Sequence, residues 1–125
     1  MSNTYLTAFN NLVIKFNDDL IMTFPEENDF KVYKRGIMMI NSANAKKICY
    51  LYKNYMILYR IKIEAKDETF FLSNDYTEIV NNSTSEGVEG IIHKLKHYWT
   101  TLSSANKEKI WEYLNSLIKL SDLIN

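Results

Sequence analysis

The residues best suited to metal chemistry lie in the segment EGIIHKLKH, where Glu89, His93 and His97 recur every four residues. This spacing lines three oxygen and nitrogen ligands along one helix face. The apolar residues around them centre on the opposite direction, so both histidines are predicted to point outward. The chain has no further histidine, and its one cysteine lies in a distant segment. We therefore expect a solvated polar face rather than a metal site.

Other catalytic patterns have little support in the sequence. The three glycines are too scattered to form a phosphate-binding loop, and no serine lies in a nucleophile elbow. Cys49 lies among apolar residues without an activating charge beside it, so we expect a buried structural thiol. No pair of titratable groups has a spacing that indicates catalysis. We predict a protein that is not an enzyme and binds no cofactor.

The charges are arranged in blocks of alternating sign, although the formal net charge is zero. Residues 1–30 carry five acids and one lysine, and residues 63–92 carry seven acids and one lysine. The stretch between them has no acid and eight bases: Lys31, Lys34, Arg35, Lys46, Lys47, Lys53, Arg60 and Lys62. Such a block either pairs within the fold or presents a basic surface to a partner.

One helix face within this basic block is the leading candidate for partner binding. Lys46, Lys53 and Arg60 recur every seven residues, and Tyr50 and Ile57 lie beside them. A basic and aromatic stripe of this kind fits an acidic protein partner or a nucleic acid. The near-neutral pI of 6.7 counts against a dedicated nucleic-acid binder. Internal neutralisation of the bases is the third reading.

The stretch DETFFLSNDY, residues 67–76, raises a second candidate. Phe70, Phe71 and Leu72 are consecutive, and neither a helix face nor a strand can turn all three inward. One of them is therefore predicted to face outward. The favoured interpretation is a plug that closes the core, and the alternative is that Phe70 or Phe71 contacts a partner.

The apolar periodicity predicts an all-α fold, a single small bundle of about five helices. The first helix covers residues 5–24 before Pro25, the second starts near Asn28 or Asp29, and Ser103 or Ser104 caps the last. The predicted inward residues are Tyr5, Phe9, Leu12, Val13, Phe16, Leu20, Phe24, Phe30, Tyr33, Ile37, Ile40, Ile48, Leu51, Tyr52, Tyr55, Leu58, Tyr59, Val88, Ile91, Ile92, Leu95, Tyr98, Trp99, Leu102, Ile110, Trp111, Leu114, Leu117 and Ile118.

Three connecting segments complete this organisation. NSAN at residues 41–44 predicts a turn, with Asn44 capping the third helix. The third helix is predicted over residues 45–60, but residues 56–64 also alternate like a strand, so a short extended piece is the alternative. NNSTSEG at residues 81–87 predicts a flexible loop.

The length of 125 residues fits one domain that can bury a core without disulfides. The N-terminal stretch lacks the features of a signal peptide, and no apolar run approaches 18 residues. With one cysteine, the chain forms no intramolecular disulfide, which favours a reducing compartment. We expect a soluble, intracellular protein with no membrane partner.

Four segments in order carry a family resemblance: FNNLVIKFNDDLIMTFPEENDFKVYK (9–34), NAKK (44–47), DETFFLSNDY (67–76) and IIHKLKHYWTTLSSANKEKIWEYLNSLIKLS (91–121). The chain resembles, from about residue 5 to 121, a family of small proteins of nucleocytoplasmic large DNA viruses, the giant viruses of protists and algae. It lacks the proline break typical of that family after the third helix, where residues 56–58 stand. The resemblance implies an all-α viral protein of the infected host cytoplasm or the virion. It brings no catalytic residues.

The sequence thus predicts a non-enzymatic helical interaction module acting through protein–protein contacts. The residues proposed to bind the partner are Lys46, Tyr50, Lys53, Ile57, Arg60, Phe70 and Phe71. One alternative is a nucleic-acid-associated factor using the basic block, and the other is a virion structural or assembly protein that forms homo-oligomers.

Overall fold

The computed structural model describes residues 3–73 and 87–125, and within these ranges it contains helices and no strand. Six α-helices follow one another, with a 3-10 turn at Trp99–Thr101: α1 (Asn3–Thr23), α2 (Asn28–Ala43), α3 (Lys47–Glu64), α4 (Thr69–Leu72), α5 (Gly87–Tyr98) and α6 (Ser104–Asp122). The predicted all-α bundle is confirmed. None of the described helices is long and apolar enough to span a bilayer.

Helix α1 follows the predicted apolar periodicity and ends two residues before Pro25. Its inward residues Phe9, Val13 and Phe16 are fully buried. Tyr5, predicted to point inward, is 44% exposed, and the adjacent Leu6 is buried in its place. A buried polar contact joins the first two helices, where the amide Nδ2 of Asn17 donates to the carbonyl oxygen of Phe30 at 2.7 Å.

The connection between α2 and α3 is shorter than the predicted turn, because residues 41–43 continue α2. Asn44 then breaks the helix with an extended backbone. Its side-chain oxygen accepts a hydrogen bond from the backbone nitrogen of Lys46 at 3.1 Å, immediately before α3 begins at Lys47. Asn44 therefore bonds the backbone immediately before α3 but is not its N-cap residue. The N-cap residue is Lys46, and its side chain makes no capping hydrogen bond.

Helix α3 runs without a break to Glu64, so the alternative of an extended piece at residues 56–64 is wrong. Met56 and Ile63 lie on the inward helical face, and this burial favours the helix over the strand-like alternation. The helix ends where Lys66 takes a positive φ of 53°. The backbone nitrogen of Asp67 then bonds the carbonyl oxygen of Lys62 at 2.9 Å, which is the hydrogen bond of a Schellman motif.

Helix α4 delivers two aromatic rings to the core. Phe70 and Phe71 are 1% and 2% exposed, and Leu72 is 54% exposed, so one of the three residues faces outward as predicted. The Phe71 ring stacks on Trp99 with centroids 4.0 Å apart, and Trp111 meets both rings edge-on. The plug interpretation of this segment is confirmed.

The last two helices have clear boundaries. Ser103 caps α6 as predicted, because its Oγ accepts a hydrogen bond from the backbone nitrogen of Asn106 at 3.1 Å. All five predicted inward residues of α6 are buried: Ile110, Trp111, Leu114, Leu117 and Ile118. Gly87 starts α5 with a φ of 62°, and residues 81–86 of the predicted loop lie outside the described residues.

The two glycines at 36 and 87 predict opposite effects of alanine. Gly36 lies inside α2, and a Cβ there would meet nothing within 4 Å. Gly36→Ala should therefore raise the free energy of unfolding by about 0.5–1 kcal/mol, because alanine restricts the unfolded chain and favours the helix. Urea denaturation followed by circular dichroism measures this change.

Gly87→Ala is the contrasting variant. A Cβ at Gly87 would lie 2.9 Å from Cδ1 of Ile48, and the positive φ disfavours alanine as well. We expect the midpoint urea concentration to fall. Equal effects of the two substitutions would contradict the local geometry described here.

Candidate functional site

The orientation of α3 is set by its contacts with α6. The Tyr52 hydroxyl is buried and donates to the carbonyl oxygen of Leu114 at 2.8 Å, and burial raises the pKa of this tyrosine. The side chain of Asn115 donates to the carbonyl oxygen of Ile63 at 3.1 Å. These bonds join α3 to α6 on its inward side, where the buried residues of α3 are Ile48, Cys49, Tyr52, Tyr55, Met56 and Ile63.

The opposite side of α3 carries large apolar side chains in solvent. Tyr50, Ile57, Leu58 and Ile61 are 64%, 78%, 74% and 83% exposed. We call these four residues the α3 apolar face. Tyr50 and Ile57 lie where the sequence predicted them. Leu58, predicted to lie in the core, is a correction: it points about 120° around the helix from the buried Tyr52 and is exposed.

Three residues of the α3 apolar face follow one line of the helix, on which the polar Asn54 lies between Tyr50 and Ile57. Tyr50, Ile57 and Ile61 fall within about 40° of one another around the axis and span about 16 Å along it. Exposed apolar residues scattered singly are ordinary on monomeric proteins, whereas large contiguous apolar patches are typical of contact surfaces. Sequence reasoning omitted Ile61 and Leu58 from this surface. The signal for Ile61 was its spacing of four from Ile57.

Arg60 flanks this face and is bound within the chain. Its guanidinium donates two hydrogen bonds to the carboxylate of Asp122, at 2.8 and 2.7 Å, and a third to Glu64 at 3.2 Å. These hydrogen bonds raise the pKa of Arg60, and the same contact lowers the pKa of Asp122. Arg60 therefore uses three of its five donors within the chain, and its contact with a partner stays a prediction.

Lys53 is bound to the same end of α6. Its ammonium donates to the carbonyl oxygen of Ile124, and the side chain is half-buried. Lys46 is exposed and makes no ion pair with any residue that the structure describes. Of the three predicted basic residues, only Lys46 thus remains fully open to solvent.

The basic block as a whole is only partly neutralised. Lys34 pairs with Asp18 at 2.9 Å, and Arg60 pairs with two acids. Within residues 3–73 and 87–125, Lys31, Arg35, Lys46 and Lys62 make no ion pair. Glu68, from the following acidic block, bonds Lys107 of α6 instead. Among the described residues, internal neutralisation therefore covers a minority of the block.

Phe70 and Phe71 are not part of this surface. Both rings are buried, and Phe70 also packs against Tyr55 and Tyr59 of α3. Lys96 covers Phe70, with its ammonium 5.2 Å from the ring centroid. Their proposed contact with a partner is corrected for a physical reason. Phe71 stacks on Trp99 and Phe70 packs edge-on against Phe71, so both rings gain more from burial than from solvent exposure.

The two histidines of α5 and the cysteine of α3 were the candidates for metal and thiol chemistry. His93 and His97 approach edge-to-face with ring centroids 5.9 Å apart, and His97 is exposed. Within the described residues, no group of three metal-binding side chains comes together. Cys49 is buried as predicted, and this burial raises the pKa of its thiol.

A groove between α1 and α6 was not foreseen from the sequence. The Tyr113 hydroxyl donates to Asp19 and accepts from the ammonium of Lys15 at 3.1 Å, while its ring stacks on Phe16 with centroids 4.8 Å apart. Two openings of about 160 and 350 Å³ lie on either side of Tyr113. The hydrogen bonds raise the pKa of Lys15, and burial raises the pKa of Tyr113.

No protein-family model, curated protein or solved structure matches the chain.

The burial of Phe71 predicts a large loss of stability on truncation. Phe71→Ala should lower the free energy of unfolding by about 3–5 kcal/mol, because it removes a ring between two tryptophans. Phe71→Leu, expected to cost about 1 kcal/mol, covers the case in which the alanine variant does not fold. Leu72→Ala is the matched control and should change stability by about 0.5 kcal/mol or less. Equal losses at 71 and 72, measured by urea denaturation, would refute the core position.

The contact between Arg60 and Asp122 predicts a defined pH dependence. Arg60 lowers the pKa of Asp122 in the folded state, so the contact stabilises the protein above the unfolded pKa of about 3.9. This stabilisation is lost as the pH falls through the folded pKa. Asp122→Asn should therefore lower the melting temperature at pH 7 but not at pH 2.

The control for this measurement is Glu112→Gln, which removes an exposed carboxylate from the same helix. The melting temperature of this variant should differ little from that of the wild type at both pH values. A deficit of Asp122→Asn that persists at pH 2 would mean that Asp122 acts other than through its charge.

Proposed function

We propose that the protein is a non-enzymatic helical interaction module whose α3 apolar face binds another polypeptide. The observation that carries the proposal is the exposure of Tyr50, Ile57, Leu58 and Ile61, at 64–83%, on one face of a helix whose other face is in the core. Burying such side chains against a partner is the main favourable term in protein association.

The charges around the face support a polypeptide over a nucleic acid. Phosphate binding requires lysine and arginine groups that can replace counterions. Lys53 and Arg60, which flank the face, already bond Ile124 and Asp122. From Tyr50 to Ile61, the exposed line of α3 carries no charged group and offers a phosphate two donors, the Tyr50 hydroxyl and the Asn54 amide.

The raised pKa values of Lys15 and Tyr113, in the groove between α1 and α6, support the non-enzymatic part of the proposal. A nucleophilic lysine or tyrosine needs a pKa lowered towards neutrality. The pKa values of Lys15 and Tyr113 are both raised, so each keeps its proton at pH 7. These directions therefore give neither Lys15 nor Tyr113 a nucleophilic role in the α1–α6 groove.

The likeness to proteins of nucleocytoplasmic large DNA viruses supports placing this module in infected host cytoplasm or the virion. That setting is part of the proposal, and it is compatible with an assembly role for the α3 apolar face.

Site-specific photo-crosslinking tests the proposal. A benzophenone amino acid at position 57 should capture a polypeptide that survives nuclease, which mass spectrometry then identifies. The control places the same group at Met22, which is 81% exposed on α1 and lies outside the face. Nuclease-sensitive adducts at position 57, or the same adducts at both positions, would defeat the proposal.

A double variant tests whether capture depends on the apolar side chains. Ile57→Gln with Ile61→Gln should abolish binding of the captured protein, because it removes two exposed anchors without disturbing the core. Met22→Gln with Met39→Gln is the matched control, since these methionines are 81% and 73% exposed on other helices. Binding that survives the first variant and is lost in the second would place the interface elsewhere.

A further inference from the structure

We propose that the polypeptide bound by the α3 apolar face is a second copy of this chain, with the two α3 helices packed antiparallel. This inference rests on the proposed function and names its partner. It is carried by the positions of six residues along one line of α3: Lys47, Tyr50, Asn54, Ile57, Ile61 and Glu64.

The spacing of these residues is that of a coiled-coil seam. Intervals of three and four residues alternate along it, which keeps successive side chains on one line of the helix. Except for Tyr50 at 64%, Ile57 at 78% and Ile61 at 83%, the line is polar, with Asn54 in the middle and charges at the ends. All six residues are exposed, so the seam is open to solvent along about 25 Å.

The intervals read the same in both directions, so the seam complements itself in the antiparallel orientation. Two copies related by a two-fold axis would align Tyr50 with Ile61 of the other copy and Asn54 with its Ile57. Each apolar contact then occurs twice. Closed two-fold symmetry of this kind is the commonest arrangement of soluble homo-oligomers.

The charges at the ends of the seam favour the same orientation. Lys47 stands at the first position and Glu64 at the last, so antiparallel pairing places each lysine against the glutamate of the other copy. Parallel pairing would instead place lysine against lysine and glutamate against glutamate. Opposite charges across a helix interface set orientation and partner choice.

The two flanks of the seam are compatible with this pairing. On one flank, Leu58 would meet Leu51 of the other copy. On the other flank, Lys53 would approach Arg60 of the other copy, a pair of like charges. Asp122 of the same chain pairs with Arg60, and Lys53 bonds a carbonyl oxygen, so this edge carries an acid as well as bases.

Analytical ultracentrifugation of the purified full chain tests the pairing. An interface of one helix pair buries about 1,200 Å² of surface in total, which is small for a specific interface. We therefore expect a reversible dimer with a Kd of about 1–100 μM. Ile57→Gln with Ile61→Gln should raise this Kd at least about a hundredfold, because four apolar anchors are lost from the dimer. Met22→Gln with Met39→Gln should leave it unchanged.

Charge reversal tests the orientation. Lys47→Glu should raise the dimer Kd by about tenfold, since it creates two contacts between like charges. Adding Glu64→Lys should restore dimerisation, because the swapped charges attract again. In a parallel dimer the second change would give no such rescue.

Substitution of the central asparagine, Asn54, is expected to strengthen dimerisation. Asn54→Leu should lower the dimer Kd by about tenfold, because a polar residue in the apolar seam weakens association. Circular dichroism checks that every variant retains the helix content of the wild type.

The outcomes separate this inference from the proposed function. If the wild type stays monomeric to about 1 mM, where Kd corresponds to little more than 4 kcal/mol, the second copy is excluded. Capture of a different protein at position 57 would then still support the proposed function. A dimer Kd that is unchanged by the substitutions at positions 47, 54, 57, 61 and 64 would refute this inference.

Discussion

The attachment of α3 to α6 is the constraint on which the rest of the structure depends. The buried hydroxyl of Tyr52 bonds a backbone carbonyl of α6, and an amide of α6 bonds a backbone carbonyl of α3. A buried hydrogen bond left unmade is costly, so rotation of α3 about its axis is opposed. Once this rotation is fixed, Ile57 and Ile61 must face solvent, and the bases at 53 and 60 must meet the end of α6.

Much of the fold was accessible from the sequence because its signals are local. Helical spacing in α1, α5 and α6, the proline after α1 and the serine before α6 each act within a few residues. The candidate site was accessible in part. Tyr50 and Ile57 were placed outward correctly, whereas Leu58 was not, because α3 is apolar around most of its circumference. Contact with a helix more than 50 residues away decides which of its sides is buried.

The same distinction explains the fate of the charges. A block of bases next to a block of acids in sequence invites a pairing between them. In the structure Arg60 does reach Glu64, but other bonds run farther: Glu68 reaches Lys107, Lys94 reaches Asp29, and Arg60 also reaches Asp122. Separations of this size depend on how helices pack and leave no trace in local composition. Phe70 and Phe71 illustrate the opposite case, where three consecutive apolar residues correctly predicted one outward side chain.

The packing of the aromatic cluster determines what optical spectroscopy can see in this protein. Both tryptophans lie in one cluster, with ring centroids 5.3 Å apart, and one of them stacks on Phe71. Intrinsic tryptophan emission therefore reports on a single place, where α4 closes the bundle against α5 and α6. Excitation absorbed by either indole is shared over so short a distance. Conformational changes or binding confined to α1, α2 or the exposed side of α3 would change this emission very little. A fluorophore placed on those helices is needed to detect them.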